Sequence, residues 1–400
     1  MKSLKQLFLI PIVLLLLACH AGDTPETIKV QNQTDIQLKD VFIVKTLNTK
    51  HKYFILKNGE TEIPYQLFDD NGTKIGFVLD LAPNEEKLIT LIPVDEKIEY
   101  KSRTYAELSM KPGNIFYDRK FRGTKFENVT KIKVPSTHTD HDALFRYEGP
   151  GWESELVGYR FYLDWRNATD IFGKKVNELL LHNVGVHDTV AKDDSYHSMQ
   201  DWGMDIFKVG SSLGIGSVAM WNNGKVNMVS KTDSIYCEIA ENGPVRSKIN
   251  TNYFGWLVGE NKYNLECDFS ITAGSRLTKV DLNIQDTDSL ATGLAKFKGT
   301  NFIKGNTDGE WSYIALYGSQ TLVNETDKLG IALFYKTTSL LMLTEDELSH
   351  VVILKPINDS VEYYFCAAWE QEPNGITNEE DFISYLNSTQ RQLNNPPIIK

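Results

Sequence analysis

Cysteine is scarce in this chain of 400 residues: there are four, Cys19, Cys237, Cys267 and Cys366. None belongs to a Cys-x-x-Cys pair, so the spacing of zinc ribbons and redox dithiols is missing. Beyond Cys19 three remain, an odd number that permits one disulfide at most and favours buried free thiols. A basic excess is missing too. Lys and Arg total 42 against 53 Asp and Glu, a formal charge of −11, which excludes the cationic footprint that nucleic acid requires. There is no Gly-Lys-Ser/Thr phosphate loop and no Gly-x-Ser-x-Gly nucleophile elbow. Neither an internal repeat nor a low-complexity tract is present. After residue 18 no apolar run is long enough to span a bilayer as a helix.

The one long apolar run stands at the start. Lys2 and Lys5 precede Leu7 to Leu17, which is short for a membrane span and suited to a signal segment. It ends in Leu16-Leu17-Ala18-Cys19, which resembles the bacterial lipobox. The expectation is a signal peptide at 1–18, lipidation of Cys19 and a tether at 19–27. The lipid would be the only membrane contact, anchoring the chain in the outer membrane. His20-Ala21-Gly22-Asp23 leaves open whether it faces the periplasm or the cell surface.

The remainder reads as mainly all-β. Short alternating runs at Ile28-Lys29-Val30, Val41 to Val44, Tyr53 to Leu56, Phe77 to Leu79 and Leu88 to Leu91 are separated by turns such as Asn58-Gly59 and Asp70-Asn71-Gly72. That spacing predicts a small β-sandwich over 28–97. From 98 to 400 a larger β-rich domain is expected. Its clearest strands are 234–240, 245–252, 263–271 and 279–284, a meander that predicts a large antiparallel supersandwich. Thr377 and Glu380 form a capping box ahead of Phe382, Leu386 and Leu393, which predicts a C-terminal covering helix. The 18 Tyr, 19 Phe and 7 Trp suit β cores and aromatic sugar platforms alike.

Chemistry-bearing residues concentrate between 138 and 208. Five of the eight histidines, His138, His141, His182, His187 and His197, fall within sixty residues, among Arg146, Arg160 and Arg166. Such a cluster in an acidic protein suggests a site for an anionic ligand. His138-Thr139-Asp140-His141-Asp142 has metal-like spacing, but without a second cluster a polar turn is the expectation. Glu153 and Glu155, beside Trp152, suggest paired glycosidase carboxylates, although such acids usually come from different elements so as to flank the bond. The glycines of 203–216 are expected to let the backbone pass close to a ligand or a neighbouring strand.

Several segments carry a resemblance. Trp152-Glu153-Ser154-Glu155, Tyr159-Arg160, Tyr196-His197 and Gly203 through Gly216, with Asn242-Gly243-Pro244-Val245-Arg246, resemble a family of secreted proteins from polysaccharide-degrading bacteria, long described as a domain of unknown function. Within it, Tyr147 to Trp152 and Tyr162 to Asn167 are most similar to the ulvan-oligosaccharide dehydratase. The resemblance implies loss of water across C4–C5 of a non-reducing-end uronic acid, leaving an unsaturated uronyl end. The substrate would be a uronic-acid oligosaccharide and no organic cofactor is implied; a metal requirement stays open. Such an elimination needs a cation at the carboxylate, a base for the C5 proton and an acid for O4. Arg160 is the candidate for the carboxylate, with Arg146 in reserve. His197 is the candidate base, its free pKa being about 6.5; Tyr196 or His182 would be the acid. Asp205 and Lys208 form an ion pair or touch substrate, Trp152 or Trp202 stacks on a sugar, and Glu153 lies at the substrate. The alternatives are a glycoside hydrolase using Glu153 and a glycan-binding lipoprotein without catalysis.

Overall fold

The computed structural model describes residues 26–113, 115–122, 125–186 and 196–400. It is mostly β, with antiparallel sheets throughout and one α-helix, at the C-terminal end. Cys19 and His187 lie outside the described residues.

The first strands build two facing sheets. Glu26–Gln31, Glu86–Val94, Tyr53–Asn58 and Thr61–Ile63 form one; Leu38–Thr46, Lys74–Leu81 and Tyr65–Leu67 form the other. Their alternating residues Ile28, Val30, Phe54, Leu56, Ile75, Phe77, Ile89 and Leu91 enclose a separate core, as period-two patterning requires. Gly59 and Gly72 take positive φ in the hairpins expected there. The first sheet also gains a strand from the far end of the chain, Ile398–Ile399, which pairs with Val30 and Gln31.

A nine-stranded antiparallel sheet organises the rest, in the order Lys131–Lys133, Ser234–Asn242, Arg246–Val258, Asn261–Thr272, Leu277–Ile284, Ser360–Trp369, Lys328–Lys336, Trp311–Ser319, Thr300–Lys304. Alternation explains how it is covered. In Lys328–Lys336, Leu329, Ile331, Leu333 and Tyr335 face the main core, while Ala332 and Phe334 face a second one. The helix Glu379–Asn394 fills that second face with Phe382 and Leu386, both fully buried, each worth about 2–3 kcal/mol of burial. Its N-cap is Asn378, whose side chain accepts the Asp381 N–H, so the cap stands one residue after the Thr377 that the capping-box pattern indicates.

Two five-stranded sheets cover the main-core face. One contains Lys225–Met228, Ala219–Asn222, Leu290–Ala295, Ser349–Leu354 and Leu340–Glu345. The other carries the candidate site: Gly203–Asp205, Thr169–Lys174, Gly158–Phe161, Gly151–Ser154 and Thr104–Glu107, in that order. Its edge strand Gly203–Asp205 packs closely on Thr169–Lys174 because Gly203, at φ +130°, lies so near the Gly173 carbonyl that a Cβ would collide with it. Gly214 approaches Thr169 in the same way, so these glycines serve close strand packing. Cys237, Cys267 and Cys366 are buried free thiols; Cys237 and Cys267 flank Thr251 on the strand between them.

Candidate active site

Register alone assembles the centre of the cluster. Arg160 sits directly opposite Asp170, and Asp205 lies opposite Phe172, two residues along. Side chains two apart share a face, so both carboxylates meet the guanidinium. Arg160 Nε and Nη2 donate to Asp170 Oδ2 at 3.0 and 2.6 Å, and Nη2 also donates to Asp205 Oδ2 at 2.5 Å. Nη2 reaches the Tyr162 hydroxyl at 2.9 Å and Nη1 the Tyr196 hydroxyl at 3.2 Å. Tyr162 in turn donates to Asp170. Arg160, Asp170 and Asp205 are buried. Burial opposes the Arg160 charge, but Asp205, Tyr162 and Asp170 outweigh it and hold the guanidinium firmly protonated. Burial, with the nearby charge of Asp205, pushes Asp170 up to about 6.

The cluster opens to solvent at Tyr196 and His197. His197 Nδ1 lies 3.1 Å from Asp205 Oδ2, and its side chain is 54% exposed. An Nδ1–H directed at a carboxylate fixes the tautomer and leaves the lone pair on Nε2. The Tyr196 ring lies beside the His197 ring, centroids 4.3 Å apart, and edge-on to Phe172. Burial pushes the Tyr196 phenol up to about 12, so it keeps its proton at neutral pH. Glu148 borders the same cluster, 3.9 Å from Arg160 Nη1 and 3.0 Å from Arg166 Nη2. Burial would raise its pKa, but Arg160 and Arg166 bring it below the usual value.

Other sequence-derived candidates take different places. Arg160, expected to hold the substrate carboxylate, is buried and already bound by two protein carboxylates, Asp170 and Asp205. Arg146 donates to the carbonyls of Leu181 and His182 and touches Glu107, so it fixes the turn Leu181–Asn183 rather than standing in reserve. Trp152 is fully buried, packed on Tyr159 and Phe269, with Nε1 donating to Thr278; it offers no face to a sugar. Glu153 is fully buried as well. It pairs with Lys174 Nζ at 2.7 Å and accepts the Leu180 and Leu181 N–H groups. Glu155 turns away to Arg103 and the Gly274 N–H, so the two glutamates do not form a pair. Trp202 is half-buried against Phe172. His182 is exposed on its turn, edge-on to Tyr105. The expected Asp205–Lys208 pair does not form: Asp205 goes to Arg160 and His197, and Lys208 is exposed with no ion-pair partner among the described residues.

The metal-like run also splits. His138 and Asp142 bind each other at 2.8 Å with both side chains buried, while Asp140 and His141 point outward. No group of three His, Cys, Asp or Glu side chains poised for a metal occurs among the described residues. Sequence reasoning missed Tyr162, Asp170 and Glu148. Only their proximity to Arg160 in a strand–turn–strand unit signalled them, because a fully buried strand such as Thr169–Lys174 has no alternation to read.

Comparison with known proteins adds the following. The model of the family described as Domain of unknown function (DUF4861) matches residues 29–399. "Uncharacterized protein P7" of Formosa agariphila is 26% identical over 347 residues, covering 82% of this chain and 78% of its own. Among solved structures, a protein in the glycosyl hydrolase family 38 and an alpha-mannosidase, both from Enterococcus faecalis, align with 94% of this chain at 8% identity and a TM-score of 0.44. The chain spans about half the length of those two structures, 47% and 46% respectively.

Proposed function

The chain belongs to the DUF4861 family, and for this member of it we propose a carbohydrate-active carbon–oxygen lyase that removes water from the uronic acid at the end of an oligosaccharide. The observation that carries this reading is the relay Arg160–Asp205–His197. A half-exposed imidazole is oriented through Nδ1 by a carboxylate that is itself locked by a buried guanidinium. That arrangement makes a positioned base.

In the proposed reaction His197 Nε2 takes the proton from C5. The C5–H electrons form the C4=C5 double bond, the C4–O4 bond breaks, and O4 leaves as water with a proton from the Tyr196 hydroxyl. Solvent then returns the proton balance between imidazolium and phenolate. Tyr196 suits the acid's part because it is protonated at neutral pH and hydrogen-bonded to Arg160, a cation that eases formation of the phenolate. The uronate carboxylate needs a cation that is not already committed. Lys208, three residues after Asp205, is the candidate. The glycosidase alternative loses its acid, since Glu153 is sealed against Lys174. Ulvan-type oligosaccharides are the substrate class that the sequence resemblance implies, and export by lipidation at Cys19 would bring the protein to saccharides already trimmed outside the cell.

The test is incubation with uronate-ended oligosaccharides while the ultraviolet band of the unsaturated uronate is followed. The expected result is a rising absorbance and a product lighter by one water. His197→Ala should lower turnover by about 10²–10⁴-fold with an unchanged unfolding midpoint. Full activity in that variant removes His197 as base, and shortened saccharides without absorbance favour hydrolysis.

A further inference from the structure

Three carboxylates surround Arg160, and one of them keeps an unused oxygen. The Asp170 and Asp205 side chains are 0% and 3% exposed, whereas that of Glu148 is 13% exposed. Glu148 Oε1 accepts the His141 N–H and Arg166 Nη2, each at 3.0 Å. Its Oε2 takes no hydrogen bond among the described residues; Arg160 Nη1 stands 3.9 Å away, beyond bonding length. Unlike the unpartnered polar atoms of the interior, Oε2 keeps accessible surface, so a ligand can reach it. The backbone holds it there. His141 and Glu148 both take positive φ, +58° and +73°, conformations uncommon outside glycine that persist only where their surroundings fix them.

The guanidinium also sets an order. Nη2 binds Asp205, which holds His197, whereas Nη1 donates to the Tyr196 hydroxyl and is the nitrogen nearest Glu148. Tyr196 lies between the two ends, its ring against His197 and its hydroxyl at Nη1. The proposed reaction places C5–H at His197 and O4 at Tyr196. The ring position next to C4 on the side away from C5 is C3, so its hydroxyl is the group brought toward Glu148. An ionised carboxylate only accepts, and a hydroxyl is the donor that Oε2 lacks; hydrogen bonds to charged acceptors are the stronger kind. The same negative charge works against a sulfate ester or a second carboxylate at that position.

We propose that Glu148 selects the substrate: its Oε2 accepts a hydrogen bond from the C3 hydroxyl of the terminal uronic acid, so that ends with a free 3-hydroxyl are taken and 3-deoxy or 3-O-sulfated ends are rejected. This selection rests on the elimination reading, which supplies the orientation of the ring.

The test compares kcat/KM for formation of the unsaturated uronate from two disaccharides ended by glucuronate, one with its 3-hydroxyl and one 3-deoxy. Wild type should prefer the hydroxyl about 30-fold, the size of one hydrogen bond to a charged group. Glu148→Gln keeps a carbonyl oxygen for His141 and Arg166 and sets an amide donor in the place of Oε2, so the preference should fall to about threefold or less. Glu148→Ala should abolish it, with unfolding midpoints as the check that each variant is folded. The ratio separates a substrate contact from a scaffold: a merely structural Glu148 would lower both rates by one factor and leave the preference unchanged. The proposal is overturned, with the elimination reading intact, if wild type turns over both ends equally or if either folded variant keeps the wild-type preference. If wild type forms no unsaturated product from either disaccharide, the elimination reading fails and the selection by Glu148 falls with it.

Discussion

Two buried ion clusters sit on one five-stranded sheet and differ in how they end. In the first, Lys174 and Glu153 are both fully buried, and every polar atom terminates on protein: the lysine on Glu153 and the Ser154 carbonyl, the glutamate on two N–H groups of the turn that bears His182. Burial pushes Glu153 up and Lys174 down, each toward its neutral form. In the second, Arg160 is equally buried, but two of its contacts end on Tyr196 and on Asp205, and these lead to the half-exposed His197. The same chemical elements give a closed brace in one case and an open relay in the other. What distinguishes a candidate site is therefore where the last hydrogen bond ends, not how many charges are buried.

Removing the guanidinium tests that contrast most severely. Arg160→Met leaves two buried carboxylates against each other, and urea unfolding should show a loss of about 3–5 kcal/mol together with loss of turnover. Breaking the closed brace should behave differently. Lys174→Met should cost about 3 kcal/mol, yet turnover per folded molecule should stay near wild type. Adding Glu153→Gln, which keeps an acceptor for Leu180 and Leu181, should restore most of the stability. If Lys174→Met abolished turnover in folded protein, the two clusters would not be functionally distinct.

A smaller effect concerns pH. Asp170 has its folded pKa raised from the ordinary carboxylate value to about 6, so the native state holds that proton more tightly than the unfolded chain does. Its contribution to stability is fully present below a pH of about 4 and is lost as pH rises through about 6. Glu372, raised by burial to about 7 beside Arg276, acts in the same direction. Asp170→Asn isolates the first: the stability difference between wild type and variant should shift against wild type as pH rises from about 4 to 7. A difference independent of pH would contradict the raised pKa.

How much of this the sequence disclosed depended on what each residue faces. The strands Ser234–Asn242 and Asn261–Thr272 alternate between core and solvent, and alternation is what a sequence displays. Arg246–Val258 runs six residues past its expected end, through a bulge where Gly255 takes positive φ; the bulge breaks the alternation by which a strand is read. Thr169–Lys174 is buried on both faces and shows no period. The site divides in the same way. His197, Tyr196 and Asp205 were legible as chemistry-bearing types in one segment, and the structure brings them together. The role of Arg160 was not, because its partners are 10 and 45 residues away and only strand register joins them. Trp152 and Glu153 look like sugar-binding residues, yet core packing claims both.

The central claim is that His197, held by Asp205 and Arg160, drives elimination rather than hydrolysis. The most direct measurement is mass spectrometry of the product formed from a uronate-ended oligosaccharide in oxygen-labelled water. Elimination predicts a saccharide of unchanged length, lighter by one water and carrying no label, formed by wild type and not by His197→Ala. A shortened saccharide carrying solvent label, or undiminished product from the variant, would contradict it.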